Sequence, residues 1–268
     1  MSLADGLANE KSREGFRVGI DDAGVAVLSI DRVDKHNAIT LAMWETLPDL
    51  LTDLATMDGL RVLLVTGAGT SFSAGADIRE LHEVFSEASR ARAYQDTNVA
   101  AESALATFPH PTIAVVRGAC VGGGCQLAVA CDVRIAADDA RFGVTPAKFG
   151  IVYPVEPTAR LTRLVGPARA KYLLYSADLI DAPQALTFGL VDEVVPVAEL
   201  ETRAMQFAQT VAGRSPQTIG AAKAVIGALA SRRDPNMEIS AWQHATDDVR
   251  EGIAAYLEGR TPLFGDAR

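Results

Sequence analysis

Two glycine-rich segments contain the residues whose types and spacing could do chemistry. Residues 67–78 read GAGTSFSAGADI, and residues 118–126 read GACVGGGCQ. Each follows a short apolar run that is rich in β-branched residues, and the second opens a helical stretch. Glycines at such places allow tight turns and close helix–strand packing, but these turns can also leave backbone N–H groups unpaired. Two converging N–H donors would stabilise an oxygen anion, such as an enolate, without any side chain.

Other chemistries fit these segments poorly. Neither contains Gly-Lys followed by Ser or Thr, so neither is a phosphate-binding P-loop, and the position three residues after Gly124 is Leu127, which breaks the dinucleotide fingerprint. The three cysteines fall within twelve residues of one another in an apolar setting, and the four histidines are scattered. We therefore expect buried free thiols and no metal site.

The segments around these two glycine-rich stretches alternate between strand-like and helix-like patterns of apolar residues. Strands are predicted at residues 25–30, 61–66, 112–116 and 133–136, and helices at residues 40–56 and 89–108, with Thr40 as an N-cap. This alternation predicts an α/β fold. Three further helices are predicted at residues 198–213, 216–229 and 236–257. We therefore divide the chain into a core, residues 1–197, and a helical region, residues 198–268, which must dock on the core or on a neighbouring subunit.

Composition and charge narrow the function classes. The chain has 268 residues, of which 49% are hydrophobic and 22% charged, as in globular proteins, and its net charge is −9. That charge argues against a general nucleic-acid or anionic-membrane surface. No uncharged run reaches the roughly 18 apolar residues of a membrane span, and the first residues do not read as a secretory signal. A cytoplasmic location is expected.

Six stretches together resemble the crotonase superfamily, also called the enoyl-CoA hydratase/isomerase family. They read HNAI (36–39), SFSAGADIREL (71–81), GACVGGGCQLAVACDVRIAADDARFG (118–143), RLVGPARAKYLL (163–174), DAPQALTFGLVDEVVP (181–196) and ATDDVREGIAAYLEGRTPLF (245–264). The resemblance implies a spiral of ββα turns with a helical C-terminal region that forms homotrimers or hexamers. It also implies an acyl-CoA thioester as ligand, no cofactor besides the coenzyme A of the substrate, and neither nucleic acid nor membrane as partner.

The resemblance also implies roles for individual residues. The N–H groups of Ala76 and Gly123 are the expected oxyanion donors. Gly122 and Gln126 are expected beside the acyl group, and the residues expected beside the coenzyme A moiety are Lys35, Ala74, Asp77 and Ile78. Two of these have alternative roles, because Asp77 can cap a helix and Lys35 can be a solvated loop lysine.

The sequence departs from the family at the two glutamates that hydratases use as general acid and base. Gln126 and Pro146 stand at those positions, and neither exchanges a proton near neutral pH. A positioned acid or base contributes roughly 10²–10⁴-fold to a rate. Glu156, the only carboxylate between Asp139 and Asp178, is the nearest replacement, although beside Pro157 it can equally well begin a helix.

Three functional hypotheses follow from this pattern. The first is an acyl-CoA enzyme of hydratase or isomerase type, in which Glu156 or a bound water transfers the proton, with Tyr153 as a further hydrogen-bond donor. The second is a thioester hydrolase or a decarboxylase that uses the same oxyanion hole. The third is a protein that binds coenzyme A thioesters without catalysis.

Overall fold

A seven-stranded sheet forms the centre of the computed structural model, which describes residues 8–231, 234–235 and 246–265. The strands of this sheet, in spatial order, are β1 (Ala8–Arg13), β2 (Phe16–Ile20), β3 (Val25–Ile30), β4 (Val62–Gly67), β5 (Thr112–Val116), β7 (Val133–Ala137) and β10 (Glu193–Val195). From β3 onward, neighbouring strands are parallel. The four strands predicted from sequence all lie in this sheet, with ends that agree within one residue.

A second, three-stranded sheet lies against the first and creates the ββα repeat. It contains β6 (Ala119–Val121), β8 (Arg141–Gly143) and β9 (Ile180–Asp181). β6 follows β5 directly and β8 follows β7, so the chain passes from the large sheet to the small one twice in succession. This arrangement agrees with the fold that the resemblance implies.

Helices connect and cover the strands. The described residues include α1 (Leu41–Ala55), α2 (Ile78–Val84), α3 (Ala88–Ala106), α4 (Gly123–Ala130), α5 (Val155–Val165), α6 (Pro167–Ser176), α7 (Ala182–Phe188), α8 (Leu200–Ala212), α9 (Pro216–Ala230) and α10 (Thr246–Glu258). Short 3₁₀ helices lie at Val33–Lys35 and Pro146–Phe149. The predicted N-cap of α1 is confirmed, because the Thr40 hydroxyl accepts a 3.2 Å hydrogen bond from the Met43 N–H.

The large sheet is buried on both faces. Every residue of β3 is buried, and alternate side chains belong to two different cores. Leu28 and Ile30 pack with the α1 and α3 side, whereas Val25 and Val27 pack with α8. A strand covered on both faces needs a continuous apolar sequence rather than an alternating one, which is what VAVLSI provides.

The C-terminal helices differ in how much of their surface is buried against the rest of the chain. α8 packs on the large sheet through buried Leu200, Ala204 and Ala208, so this helix docks on the core as expected. In α9 the only fully buried residue is Ala228. The predicted helix at 236–257 is confirmed over its described part, α10, and residues 236–245 lie outside the described residues. Among the described helices none is long and apolar enough to cross a membrane.

Candidate active site

A cavity of about 340 Å³ lies where the two glycine-rich segments meet. Ala74, Ala76 and Ile78 of the first segment line it, and so do Gly122, Gly123 and Gln126 of the second. The remaining wall comes from α2, α3, the 145–154 region and Leu179. Six of the nine residues predicted for the site are therefore brought together around one space.

Asn37 holds the first segment in place. Its side chain is buried, and its amide Nδ2 donates to the carbonyl oxygens of Ala68 at 2.8 Å and Ser71 at 2.6 Å. Its Oδ1 accepts from the Arg32 N–H at 3.0 Å. The backbone φ of Asn37 is +57°, in the left-handed region that asparagine tolerates better than most residues. The HNAI motif thus provides the support of the loop that leads to Ala76.

Ser73 joins the two segments to each other. The Ser73 N–H donates to the Ala119 carbonyl at 2.8 Å, and the Ser73 carbonyl accepts from the Val121 N–H at 3.0 Å. The Ser73 hydroxyl donates to the Asn37 carbonyl at 2.7 Å and accepts from the Gly75 N–H at 3.1 Å. Because both segments share this buried residue, their spacing at the cavity is fixed.

Glycine is required at the point of closest approach. Gly75 has φ +92°, and a β-carbon there would lie 2.6 Å from the Val121 carbonyl oxygen. Gly122, the residue before α4, has φ +53° and ψ −119°. A β-carbon on Gly123 would lie 3.6 Å from the Ala76 nitrogen and 2.8 Å from Cζ2 of the buried Trp44. Any side chain at these positions would strain the turn or collide with its neighbour.

The N–H groups of Ala76 and Gly123 are left without an acceptor in the described part of the chain. The N–H groups that precede them in each segment have acceptors: Gly75 donates to the Ser73 hydroxyl and Gly122 to the Gly143 carbonyl. Gly123 is the first residue of α4, where the backbone N–H has no partner within the helix and the helix dipole is positive. Two adjacent unpaired donors at a cavity wall can hold an oxygen that develops negative charge.

Gln126 connects the cavity to a buried ion pair. Its Nε2 donates to the Glu102 carboxylate at 2.5 Å, and the other oxygen of that carboxylate pairs with the Arg160 guanidinium. Glu102 lies on α3 and is 0% exposed. Burial raises the pKa of Glu102 above its usual value, although Arg160 and the Gln126 amide both favour the ionised form.

No carboxylate is found among the described residues that line the cavity. Pro146 lies in the wall at the start of a 3₁₀ helix, where it presents only apolar atoms. Tyr153 also lines the cavity, and burial raises its pKa well above 10, so its hydroxyl stays protonated. Lys148, which is half-exposed at the rim and 4.0 Å from Asp178, is the cation of the lining.

Three residues predicted for the site lie outside the cavity wall. Asp77 caps α2 by accepting from the Arg79 N–H and pairs with Arg32 at 3.1 Å; burial opposes its ionisation, yet the Arg32 hydrogen bond lowers the pKa of Asp77. Lys35 is exposed on the 3₁₀ helix that precedes HNAI. Glu156 is exposed in the first turn of α5.

Sequence reasoning missed Glu102 and Lys148. Glu102 lies among buried Tyr94, Ala101 and Leu105 on one face of α3, so an acid within an otherwise apolar helical stripe was the available signal. Lys148 carried no such signal, because its approach to the cavity depends on how the 145–154 segment folds back.

The cysteines are free and buried, as predicted. Cys120, Cys125 and Cys131 form no disulfide, and all three belong to the main core. Burial raises the pKa of the Cys131 thiol to about 12, which keeps it protonated and unreactive near neutral pH.

The fold and the cavity define an α/β protein of ββα-spiral type with paired main-chain donors. The model of the enoyl-CoA hydratase/isomerase family matches residues 21–267, and the chain belongs to that family. It is 35% identical to the crotonyl-CoA hydratase of Syntrophomonas wolfei and to the 2,3-dehydroadipyl-CoA hydratase of Escherichia coli, over 90% of this chain and 94% of each relative. The enoyl-CoA hydratase structure from Bacillus anthracis superposes with a TM-score of 0.86 at 33% identity, covering 93% of this chain and 98% of that one. The protein is therefore an acyl-CoA enzyme of this family.

Proposed function

We propose that the cavity binds an acyl-CoA thioester with its carbonyl oxygen against the N–H groups of Ala76 and Gly123, and that these donors stabilise the thioester enolate. The observation that carries the proposal is the pair of adjacent N–H groups with no acceptor in the described protein. Such donors act on charge that develops in the transition state, and removing one typically costs about 10²–10³-fold in rate. No cofactor beyond the coenzyme A of the substrate is needed for this step.

The side chains that line the cavity, among them Gln126, Pro146 and Tyr153, form what we call the side-chain wall. This wall determines which reaction of the enolate is fast. Gln126 and Pro146 offer no acid or base, so water addition to crotonyl-CoA should be slow, at least 10²-fold below a hydratase that has a positioned carboxylate. The exposed position of Glu156 leaves it a role only through an intervening water molecule. Isomerisation with water-assisted proton transfer is the reaction type we propose first.

Decarboxylation is the second candidate, and the lack of a carboxylate in the described lining favours it. When a thioester with a carboxyl group on its α-carbon loses CO₂, the electron pair of the broken C–C bond forms the enolate directly. No side-chain base is required, and solvent then supplies the proton to the α-carbon. The same Ala76 and Gly123 donors would stabilise the intermediate.

One panel of assays on a single preparation separates these reactions. Hydration of crotonyl-CoA, isomerisation of a 3-enoyl-CoA, CO₂ loss from malonyl-CoA and release of free coenzyme A are followed alongside the Syntrophomonas wolfei relative as a reference. We expect slow hydration, together with isomerisation or CO₂ loss that decreases in Gly123→Pro. Rapid hydration would contradict the proposed role of the side-chain wall. If acyl-CoA binds but none of the four reactions is detected, the protein binds coenzyme A thioesters without catalysis.

We also propose which residues contact the coenzyme A moiety of the substrate. Ala74 and Ile78 line the cavity, so the Ala74 carbonyl and the Ile78 N–H, the first of α2, are available to the adenine. Asp77 already uses its carboxylate on Arg32 and Arg79, and we propose for it only an indirect role in shaping this segment. Lys35 and the rim residue Lys148 are the cations proposed for the phosphates.

We further propose that the protein assembles as a homotrimer or hexamer through its C-terminal helices. α9 and α10 expose large apolar side chains, among them Ile226 at 65%, Tyr256 at 85% and Leu257 at 77%. Exposed apolar surface of this kind marks an interaction site. Light scattering should therefore show a mass well above the 28.3 kDa of one chain, and a 28.3 kDa particle at micromolar concentration would contradict the assembly. The expected setting is the cytoplasm, which subcellular fractionation would test.

A further inference from the structure

We propose that Glu102 is a positioning residue which turns the carbonyl oxygen of Gln126 into the cavity, so that the site prefers acyl-CoA thioesters that carry a hydroxyl group close to the thioester. The inference rests on the proposed binding of acyl-CoA at Ala76 and Gly123. It adds a specificity-determining group that lies outside the cavity and acts through Gln126.

Glu102 is held in its ionised form. Its two carboxylate oxygens have partners on two different helices, Gln126 on α4 and Arg160 on α5. The guanidinium of Arg160 favours the ionised carboxylate, and an ionised carboxylate only accepts hydrogen bonds. The Gln126 amide must therefore turn its NH₂ group toward Glu102.

The carbonyl end of the Gln126 amide has no partner among the described residues. Gln126 is 7% exposed and lines the cavity. Its Oε1 accepts no hydrogen bond from the described residues, and it is not among the fully buried atoms without a partner. Since Nε2 is committed to Glu102, the accessible end of the side chain is a carbonyl oxygen, which requires a donor from the ligand.

The Gln126 carbonyl lies near the paired N–H donors. Gly123 lies three residues before Gln126, at the start of the same helix, so the acceptor of Gln126 and the donors of the oxyanion site are close to one another. A donor on the acyl chain near the thioester, such as a 3-hydroxyl, fits this pairing. A purely apolar chain would leave the carbonyl oxygen of Gln126 desolvated without a partner.

The groups around Glu102 predict that the preference for a hydroxylated thioester depends on pH. Burial and the nearby Glu156 raise its pKa, whereas Arg160 and the Gln126 amide lower it, and the net effect is a pKa above 4.5. The phenol of Tyr153, whose pKa Glu102 in turn raises, stays neutral throughout this range. As the pH falls through the Glu102 pKa, the protonated acid can donate and no longer fixes the amide, so the preference for a hydroxyl group should decline.

The experiment compares the affinities of 3-hydroxybutyryl-CoA and butyryl-CoA by calorimetry from pH 7.5 down to 4.5, the ordinary pKa of a glutamate. We expect the wild type to bind the hydroxylated thioester about 3- to 10-fold more tightly, the equivalent of one hydrogen bond. Glu102→Gln should bring this ratio close to one and remove its pH dependence, because a glutamine can pair with Gln126 in either orientation. Asp96→Asn, which neutralises an exposed acid on the same helix, should retain the wild-type ratio.

Two further measurements keep the test decisive if Glu102→Gln does not fold. Gln126→Met removes the acceptor but leaves Glu102 and Arg160 paired, and it should also bring the ratio close to one. The pH dependence of the wild-type ratio requires no variant. A wild-type ratio near one, a ratio without pH dependence, or an unchanged ratio in folded Glu102→Gln would overturn the inference.

Failure of the inference and failure of the proposed function give different results. If butyryl-CoA binds and Gly123→Pro weakens its binding or turnover, but the hydroxyl group makes no difference, only the inference fails. If neither thioester binds to the wild type, the proposed function fails as well.

Discussion

The two sides of the cavity differ in what they offer a ligand. One side is main chain: the N–H groups of Ala76 and Gly123, held by Asn37 and Ser73 through buried hydrogen bonds. The other side consists of side chains, and its described residues contribute amides, proline rings, phenols, a threonine hydroxyl, the Lys148 ammonium and apolar groups, but no carboxylate.

This difference shows which part of the site tolerates change in sequence. Main-chain donors depend on glycine conformations and close packing, so nearly any substitution at Gly75 or Gly123 meets backbone or Trp44. On the other side, Gln126 stands where the family resemblance places a glutamate, and its amide donates to a buried partner, Glu102. In the proposed function, binding and enolate stabilisation belong to the first side, and the choice of reaction belongs to the second.

Removing one main-chain donor should have the largest effect. Gly123→Pro deletes the N–H at the first position of α4, where a helix accepts proline, and should lower kcat/KM on the best substrate about 10²–10³-fold relative to Gly123→Ala. The alanine variant is the matched control, because it introduces the same β-carbon against Trp44 and keeps the N–H. Equal rates in the two folded variants would refute the role of this donor.

Asn37→Asp tests whether the main-chain side depends on its buried support. The substitution keeps the shape but replaces the NH₂ group that serves the Ala68 and Ser71 carbonyls with an acceptor that faces two acceptors. We expect a loss of about 2–4 kcal/mol in the free energy of unfolding, measured by urea denaturation. Gln209→Glu, at an exposed position on α8, adds the same charge far from the loop and separates this local effect from added charge. A loss below about 1 kcal/mol would show that the loop is held elsewhere.

A smaller effect is expected at Asp77, which supports the loop from its far end. Asp77→Ala removes the cap of α2 and the Arg32 pair and should cost about 1 kcal/mol, whereas Asp77→Asn keeps the cap and should cost less. Because the folded-state pKa is lowered, the stability from the ionised group is present above its ordinary value of 3.8 and is lost as the pH falls through the folded-state pKa. Unfolding curves from pH 6 to 3 should therefore show a larger loss of stability for the wild type than for either variant.

The smallest effect is expected from Glu156→Gln. Its exposed position allows it to act only through an intervening water, so turnover should decrease by less than tenfold, with KM unchanged. Glu199→Gln, at an exposed position before α8, is the control. A loss of 10²-fold or more would place Glu156 in direct contact with the reaction and add a carboxylate to the side-chain wall.

The local elements were predictable because their causes are local. A six-residue apolar run bounded by turns becomes β3, and a threonine before a 3.6-residue apolar period becomes the cap of α1. The glycine segments were recognisable for the same reason, since their spacing after strands restricts what the backbone can do. The ends of predicted elements moved by one or two residues, where helices and strands fray.

The sequence alone therefore determined the α/β class, the two donor-bearing turns and the two positions where Gln126 and Pro146 stand. Only the tertiary structure decided which side chains surround the donors. Glu102 is 24 residues from Gln126 and 58 from Arg160, so no pattern along the chain links them, whereas the packing of α3 against α4 and α5 brings all three into contact. Glu156 was closer in sequence to the missing acid, yet the helix that begins at Val155 directs it to solvent. Which residues contact each other across elements depends on how the elements pack. A periodicity of 3.6 or 2 residues shows which face of an element is apolar but not which element packs against it.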